Sequence, residues 1–269
     1  MTCVVFGPGL VGTDLGAAAG STVVIRRQPS APFMPPMVQL PNGSVHWQPA
    51  ELQRPGKEHS TTEPADLPWL VTTRCHQTPW DELPADALII QNGLSQPRLV
   101  ATAFMALDVV NGVLTAVGPP PRLVMAQVSA RWQPVMHAWR TAGLVIEEVA
   151  DPRPAQWEKA ILNATVGPLT LTRQGAAATM AAVWADPMAR ALVLAATEEG
   201  IAIARAAGIA LNAGVVARAT AFFSAVGVHV PSCRRDPGEL PMIHGPLLAA
   251  AARYRVAAPV LSAIARGAC

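Results

Sequence analysis

A glycine-rich hexapeptide near the start of the chain, Gly7-Pro8-Gly9-Leu10-Val11-Gly12, constrains the fold more than any other feature. It follows directly on an apolar, β-rich run, Thr2 to Phe6, and opens an Ala- and Gly-rich helix candidate. In the G-x-G-x-x-G pattern each glycine has a mechanical task. The first permits the tight turn out of the strand, the second lets the backbone approach a pyrophosphate, and the third lets helix and strand pack closely. The helix N-terminus then offers N–H groups and a partial positive charge to the phosphates. A plain glycine turn without a ligand would not require all three spacings. The hexapeptide therefore predicts a strand–turn–helix unit that opens a parallel sheet. It also predicts a dinucleotide bound at Gly7, Pro8, Gly9, Leu10, Val11 and Gly12.

The second strand candidate, Ser21 to Ile25, ends in Arg26-Arg27, and no acid occurs between Asp14 and Glu51. A site selective for NAD places an acid about 20 residues beyond the glycines, to bind the ribose hydroxyls. Two guanidiniums there suit a 2′-phosphate, held by paired charge-assisted bonds. The expected cofactor is NADP, with Arg26 and Arg27 on its phosphate; two solvated surface arginines are the plainer alternative.

The rest of the chain falls into two rhythms. Further strand candidates run from Trp69 to Thr73 and from Ala87 to Gln91, separated by helix-like or Pro-rich stretches, the alternation of an α/β sheet. Leu99 to Phe104, Gly112 to Val117 and Arg122 to Gln127 are candidates to complete a sheet edge, while Gln28 to Pro41 and Arg54 to Pro68 read as Pro-rich loops. From about Asp151 the pattern becomes helix after helix. Asp186-Pro187 reads as an N-cap with proline at the first helical position, Gly208 as a C-terminal cap, and Asn212 as a cap for the next helix. A last helix is expected from about Pro246 to Val256, with Pro246 in its first turn or at a kink. The predicted architecture is an α/β Rossmann-type N-terminal domain over residues 1–150 and an all-α domain over residues 151–269.

Composition sets the outer limits. Hydrophobic residues make up 51% and charged residues 14% of the chain, so it has ample material for a core and is not intrinsically disordered. A net charge of +2 argues against a nucleic-acid binder, which would cluster Lys and Arg. The cysteines Cys3, Cys75, Cys233 and Cys269 show no metal-ligand spacing, and the histidines show no H-E-x-x-H, so no metal is expected. The first residues lack a basic leader pattern, and Arg or Glu interrupts the Ala-rich stretches before they reach membrane-spanning length, so the expected location is cytoplasmic, with no membrane association. Trp132, Trp139 and Trp157 are expected to pack near the domain junction. Glu198-Glu199 reads as a solvated helix face, and Asp86 and Asp108 have no visible partners.

Lysine occurs twice in the chain, at Lys57 and Lys159. In Trp157-Glu158-Lys159-Ala160-Ile161-Leu162-Asn163, Lys159 and Asn163 lie one turn apart on one helix face. Burial would lower the pKa of such a lysine and suit it to proton transfer. From spacing alone the plainer reading is a surface lysine whose stem covers apolar neighbours.

Several short motifs occur in one order: the glycine hexapeptide, the strand-end arginines, Gln91-Asn92-Gly93, Trp157-x-Lys159-x-x-x-Asn163, Pro168-Leu169-Thr170, and Pro231-Ser232-Cys233-x-x-Asp236 followed by Glu239 and Gly245. In that order they resemble the ketopantoate reductase (2-dehydropantoate 2-reductase) family. The resemblance implies hydride transfer from NADPH to the 2-oxo carbon of ketopantoate, giving pantoate for coenzyme A synthesis. It implies Lys159 as general acid, Glu239 as acceptor for the substrate hydroxyl, and Asn163 and Ser232 as orienting groups. Asn92 would lie between nicotinamide and substrate, and Arg74 would stand where a cofactor-side lysine often follows the third strand. The chain departs from the family pattern at Gly167, where a second asparagine is usual, at His244, which replaces an asparagine, and in the two-residue gap between Asp236 and Glu239. These departures lie on the substrate side. Two other readings stand beside this one: a related enzyme acting on another 2-oxo acid, and a non-catalytic NADP-binding sensor. An Ala-rich helical half could also pair two copies as a homodimer.

Overall fold

A computed structural model describes residues 3–7, 9–21, 23–25, 37–52, 67–94, 100–227 and 229–267. The strands are β1 (Val4–Phe6), β2 (Val23–Ile25), β3 (Met37–Leu40), β4 (Gly43–His46), β5 (Ala50–Leu52), β6 (Trp69–Val71), β7 (Leu88–Ile90), β8 (Val100–Phe104), β9 (Leu107–Val110), β10 (Val113–Ala116), β11 (Arg122–Ala126) and β12 (Val145–Val149). The helices are α1 (Leu10–Ala18), α2 (Gln133–Thr141), α3 (Arg153–Leu169), α4 (Met180–Ala185), α5 (Pro187–Ala206), α6 (Val215–Ala225), α7 (Ser232–Arg235), α8 (Leu240–Tyr254) and α9 (Pro259–Ala265).

The larger sheet has the order β12-β11-β8-β7-β6-β1-β2-β5. Its pairings are parallel except for β8 with β11. Every residue of β1 is buried, as expected of a central strand covered on both faces. The chain runs from β1 to β2 and β5 on one side, then returns to β6, β7 and β8 on the other. The order therefore reverses between β1 and β6, and α/β proteins bind ligands at the crevice beyond the strand ends at such a switch point. This is the Rossmann-type arrangement expected from the glycine hexapeptide.

A second sheet, β4-β3-β10-β9, was not expected. Met37–Leu40 lies in the segment read as a Pro-rich loop, and Val113–Ala116 joins this small sheet rather than an edge of the large one. The β9–β10 hairpin turns at Asn111 (φ 50°) and Gly112 (φ 79°), the left-handed pair that a two-residue hairpin favours. Trp132 and Trp139 are completely buried in the core under the large sheet, not at the junction with the helices. The Trp139 indole donates to the Leu15 carbonyl at 2.9 Å, tying α2 to α1. Trp157 packs on the helical core.

From Arg153 onward the described secondary structure is helical, with α3 packed against α5, α8 and α9. The carboxylate of Asp186 accepts from the Met188 and Ala189 amides, so it caps α5. Gly208 (φ 75°) ends that helix: its amide bonds Arg205 O and that of Ile209 bonds Ala204 O, the paired pattern of a left-handed C-cap. Asn212 does not cap α6; Gly214 precedes its first turn, and Asn212 offers its carbonyl to Arg218 instead. Glu199 is not a solvated charge: its two oxygens accept from the Val260 and Leu261 amides and cap α9 from a neighbouring helix. Beneath α6, buried Glu158 takes both arms of Arg218 at 2.8 and 2.7 Å.

Two interior prolines have structural consequences. Pro246 lies well inside α8, which begins six residues earlier than the sequence indicated. Pro168 lies inside α3 and has no N–H for the carbonyl four residues before it. That carbonyl, Ala164 O, is met by buried His244 Nε2 at 3.0 Å. Burial holds the His244 pKa below the usual imidazole value, favouring the neutral ring that donates this bond. His244 is thus a packing residue of the helical half. Among the described residues no helix is long and apolar enough to cross a membrane.

Candidate active site

At the switch point the glycines divide their tasks as expected. Gly7 has φ 79°, and a Cβ there would fall 2.4 Å from Thr73 Cγ2. A Cβ on Gly12 would fall 2.3 Å from Thr72 Oγ1, so α1 can approach the sheet only without a side chain at that position. Gly9, the N-cap of α1, is exposed and has nothing within 4 Å of a notional Cβ. The Thr72 hydroxyl pins the turn by donating to Gly7 O at 2.7 Å. The first turn of α1 carries no acidic residue. Open space before the backbone of a helix N-terminus fits the phosphates of a dinucleotide. Pro8, Arg26 and Arg27 lie outside the described residues.

The ends of β6 and β7 are locked together. Gln91 donates to Thr73 O at 2.7 Å and to the Thr78 hydroxyl, which in turn lies 2.9 Å from that of Thr73. This fixes the following residue, Asn92. Asn163 Nδ2 donates to Asn92 Oδ1 at 2.9 Å, and Asn92 Nδ2 donates to Ser232 Oγ at 3.2 Å. Three polar side chains from α3, the β7 loop and α7 thus form one hydrogen-bonded lane. Lys159, one turn before Asn163, lines the same cleft, and its Nζ stands 5.8 Å from the centre of the Phe104 ring. Burial of the ammonium lowers its pKa to about 8, with the Glu239 carboxylate opposing the drop.

Glu239 reaches the cleft in spite of the short connection from Asp236. The Asp236 side chain accepts from the Gly238 amide at 3.0 Å and caps a single 3-10 turn, Pro237–Glu239, which carries Glu239 inward. The Glu239 carboxylate is buried, with Oε2 3.1 Å from Arg74 Nη1. Arg74 Nε lies 3.1 Å from Asp236, and its Nη1 donates to Ser232 O at 3.3 Å. Arg74 therefore grips the substrate-side segment, whatever it offers a cofactor. A Cβ on Gly167 would fall 2.8 Å from Cys233 Sγ, so the buried thiol fills the space that a side chain at 167 would need. Desolvation, reinforced by Glu239, pushes the Cys233 pKa up to about 12 and keeps it a thiol.

A cleft of about 210 Å³ joins these parts, with Gly9, Asn92, Lys159, Asn163, Ser232 and Glu239 on its wall. Sequence reasoning missed three of its neighbours. His229 Nδ1 lies 2.8 Å from Asp108 Oδ2, and Arg235 Nη2 bonds the other oxygen of the same carboxylate. Arg235 follows Ser232 within a recognised motif, but nothing local links either residue to Asp108, more than 100 positions earlier. Asp86, also unassigned from sequence, pairs with Arg131 at 2.5 Å. Asp14, on α1, is buried with Oδ2 unbonded, and desolvation raises its pKa to about 7.

Comparison with known proteins adds to this geometry. Residues 151–267 match the family model described as the ketopantoate reductase PanE/ApbA C-terminal domain. The chain is 28% identical over 201 residues to a 2-dehydropantoate 2-reductase of Halobacterium salinarum; the match covers 67% of this chain and 65% of that relative, just under two thirds of its length. Among solved structures, a 2-dehydropantoate 2-reductase from Geobacter metallireducens superposes with TM-score 0.76 at 21% identity, covering 98% of each chain. A D-mandelate dehydrogenase solved with NADH and anilino(oxo)acetate superposes with TM-score 0.73 at 15% identity, covering 100% of this chain and 97% of that one. These two structures share the fold from end to end. The chain thus carries a C-terminal region similar to the ketopantoate reductase C-terminal domain behind a Rossmann-type sheet.

Proposed function

We propose that the chain reduces the 2-oxo group of a small 2-oxo acid with NADPH, and that ketopantoate, reduced to pantoate on the route to coenzyme A, is the first substrate to test. The observation that carries this reading is the Lys159 ammonium, titrating near 8 beside Glu239 in the cleft that begins at the Gly9 helix terminus. A bound nicotinamide supplies the hydride. The chain's own residues do the rest. Gly7, Gly9, Leu10, Val11 and Gly12 seat the pyrophosphate, with Pro8 in the same turn, and Arg26, Arg27 and Arg74 supply cationic contacts on the cofactor side. Asn92, Asn163 and Ser232 hold the substrate against Lys159. As the carbonyl carbon accepts two electrons, negative charge grows on its oxygen. The ammonium stabilises that charge and then donates its proton, leaving a 2-hydroxy acid and a neutral amine that regains a proton from water. Glu239 keeps the ammonium charged and offers an acceptor to a substrate hydroxyl.

A second reading, another 2-oxo acid, is favoured by two contacts: the Arg74 guanidinium stands 3.1 Å from Glu239 Oε2, and Cys233 fills the space beside Gly167. Both readings place the protein in the cytoplasm, in keeping with the free thiols of Cys75 and Cys233, and as a homodimer paired through its helical half. Light scattering tests the pairing.

Loss of absorbance at 340 nm tests the activity, with NADPH against NADH and ketopantoate against other 2-oxo acids. Lys159→Ala should lower kcat/KM by about 2–4 orders of magnitude. Because the proton donor is the protonated amine, kcat/KM should fall as the pH rises through about 8. NADPH binding without turnover of any 2-oxo acid would remove the catalytic reading and leave a nucleotide-binding sensor.

A further inference from the structure

The proposed 2-oxo-acid reduction leaves one charged cluster beside the cleft without a task. Asp108, on β9, holds two side chains from the helical half, each by one nitrogen. His229 Nδ1 lies 2.8 Å away, and Arg235 Nη2 bonds both the carboxylate and, at 3.4 Å, the Leu107 carbonyl. Both His229 and Arg235 line the cleft that contains Lys159. Among the described residues, His229 Nε2 and the Nε and Nη1 of Arg235 have no partner. His229 is buried, whereas Arg235 keeps about a third of its side chain exposed (32%). A structural latch between sheet and helices would engage the whole guanidinium. Here one corner is fixed and the remaining donors stay available.

Position and charge indicate the ligand. Ser232 and Arg235 lie three apart on α7, so they are neighbours on one helix face, with about 5–6 Å between their Cβ atoms. Ser232 belongs to the Asn92–Asn163 lane, so Arg235 stands one turn beyond the reacting end. One carboxylate held between a guanidinium and an imidazole balances the charge of the guanidinium. An incoming anion would complete the set, receiving N–H bonds from the remaining donors of Arg235 beside the His229 ring. Met180, Phe222 and Ile243, which also line the cleft, are apolar and offer such a group no polar partner.

We infer that Arg235 and His229, both held by Asp108, form a subsite for a second carboxylate, so that the preferred substrates are 2-oxo dicarboxylates. The inference rests on the 2-oxo-acid reductase reading and decides between its two branches. A guanidinium with one corner anchored loses little further freedom on binding, and charge-assisted bonds to a carboxylate are the stronger kind.

The test compares NADPH oxidation with 2-oxoglutarate, 2-oxopentanoate and ketopantoate. The first two differ in a carboxylate against a methyl at the far end. The wild type should favour 2-oxoglutarate over 2-oxopentanoate by about 10–100-fold in kcat/KM, and Arg235→Met should bring that ratio close to one. Asp108→Asn should lower the ratio with Arg235 still present, and circular dichroism with NADPH fluorescence titration establishes that each variant is folded. If Arg235→Met does not fold, Arg235→Lys and the wild-type ratio decide. A wild-type ratio at or below one, or a preference for ketopantoate, overturns the subsite. So does an equal loss on both acids in Arg235→Met, which would assign the arginine to the 1-carboxylate. Failure of all three acids to oxidise NADPH would overturn the underlying reductase reading instead, and the subsite with it.

Discussion

The two sides of the cleft are built in different ways. On the glycine side the working parts are backbone groups of consecutive residues: a positive-φ turn at Gly7, an open approach at Gly9 and a close contact at Gly12. Across the cleft the parts are side chains brought together from remote positions. Arg74 grips Asp236 and Glu239, Asn92 links Asn163 to Ser232, and Asp108 holds His229 and Arg235. A site made of backbone depends on a few residues with special steric needs. A site made of side chains can change its ligand by single substitutions while the fold stays as it is.

The sharpest way to break this contrast is Gly12→Leu. The new side chain would start 2.3 Å from Thr72 Oγ1 and force α1 off the sheet, so the affinity for NADPH should fall by at least about 100-fold. Fluorescence titration reads this directly, and near-normal binding would show that the turn is not the phosphate seat. A smaller effect is expected on the opposite side. Arg74→Met frees Glu239 and Asp236, and should lower kcat/KM by about 10–50-fold, as loss of charge-assisted bonds allows. If the NADPH dissociation constant changes by the same factor, Arg74 belongs to the cofactor side as the family resemblance implies.

The smallest effect tests a cost within the glycine-side helix. Asp14 is buried with a pKa raised to about 7, so the folded chain keeps its proton in the range where the unfolded chain, titrating near 4, has lost it. Stability therefore falls as the pH rises from about 4 to 7, and it is lowest once the carboxylate must be charged. Asp14→Asn removes this pH dependence but buries an amide in the same place. The net gain should be roughly 1–2 kcal/mol at pH 8 and absent at pH 4. Thermal unfolding at the two pH values measures it, and an equal shift at both would mean that Asp14 is not the titrating group.

How much was legible in the sequence follows the same division. Val4 to Phe6, the glycine turn and α1 were readable because turn sterics and buried parallel strands act over neighbouring residues. The Asp186 and Gly208 caps were readable for the same reason. Glu239 was named through a motif, but its entry into the cleft depends on the Asp236-capped turn, which no spacing rule supplies. The Met37–Leu40 strand lacked a signal because its partners, β4 and β10, must be brought beside it. His244 gave an ambiguous signal, since its task is to meet the Ala164 carbonyl that Pro168 cannot bond.

The amino-acid sequence by itself determined the Rossmann-type opening, the helical second half and the placing of a rare lysine one turn from an asparagine. These rest on local sterics, capping and periodicity, which are properties of short segments. Only the tertiary structure decided that the Lys159 ammonium is desolvated within the field of Glu239, that Cys233 stands against Gly167, and that Asp108 collects His229 and Arg235. Those outcomes depend on desolvation and charge pairing between residues that the chain brings together only after it has folded.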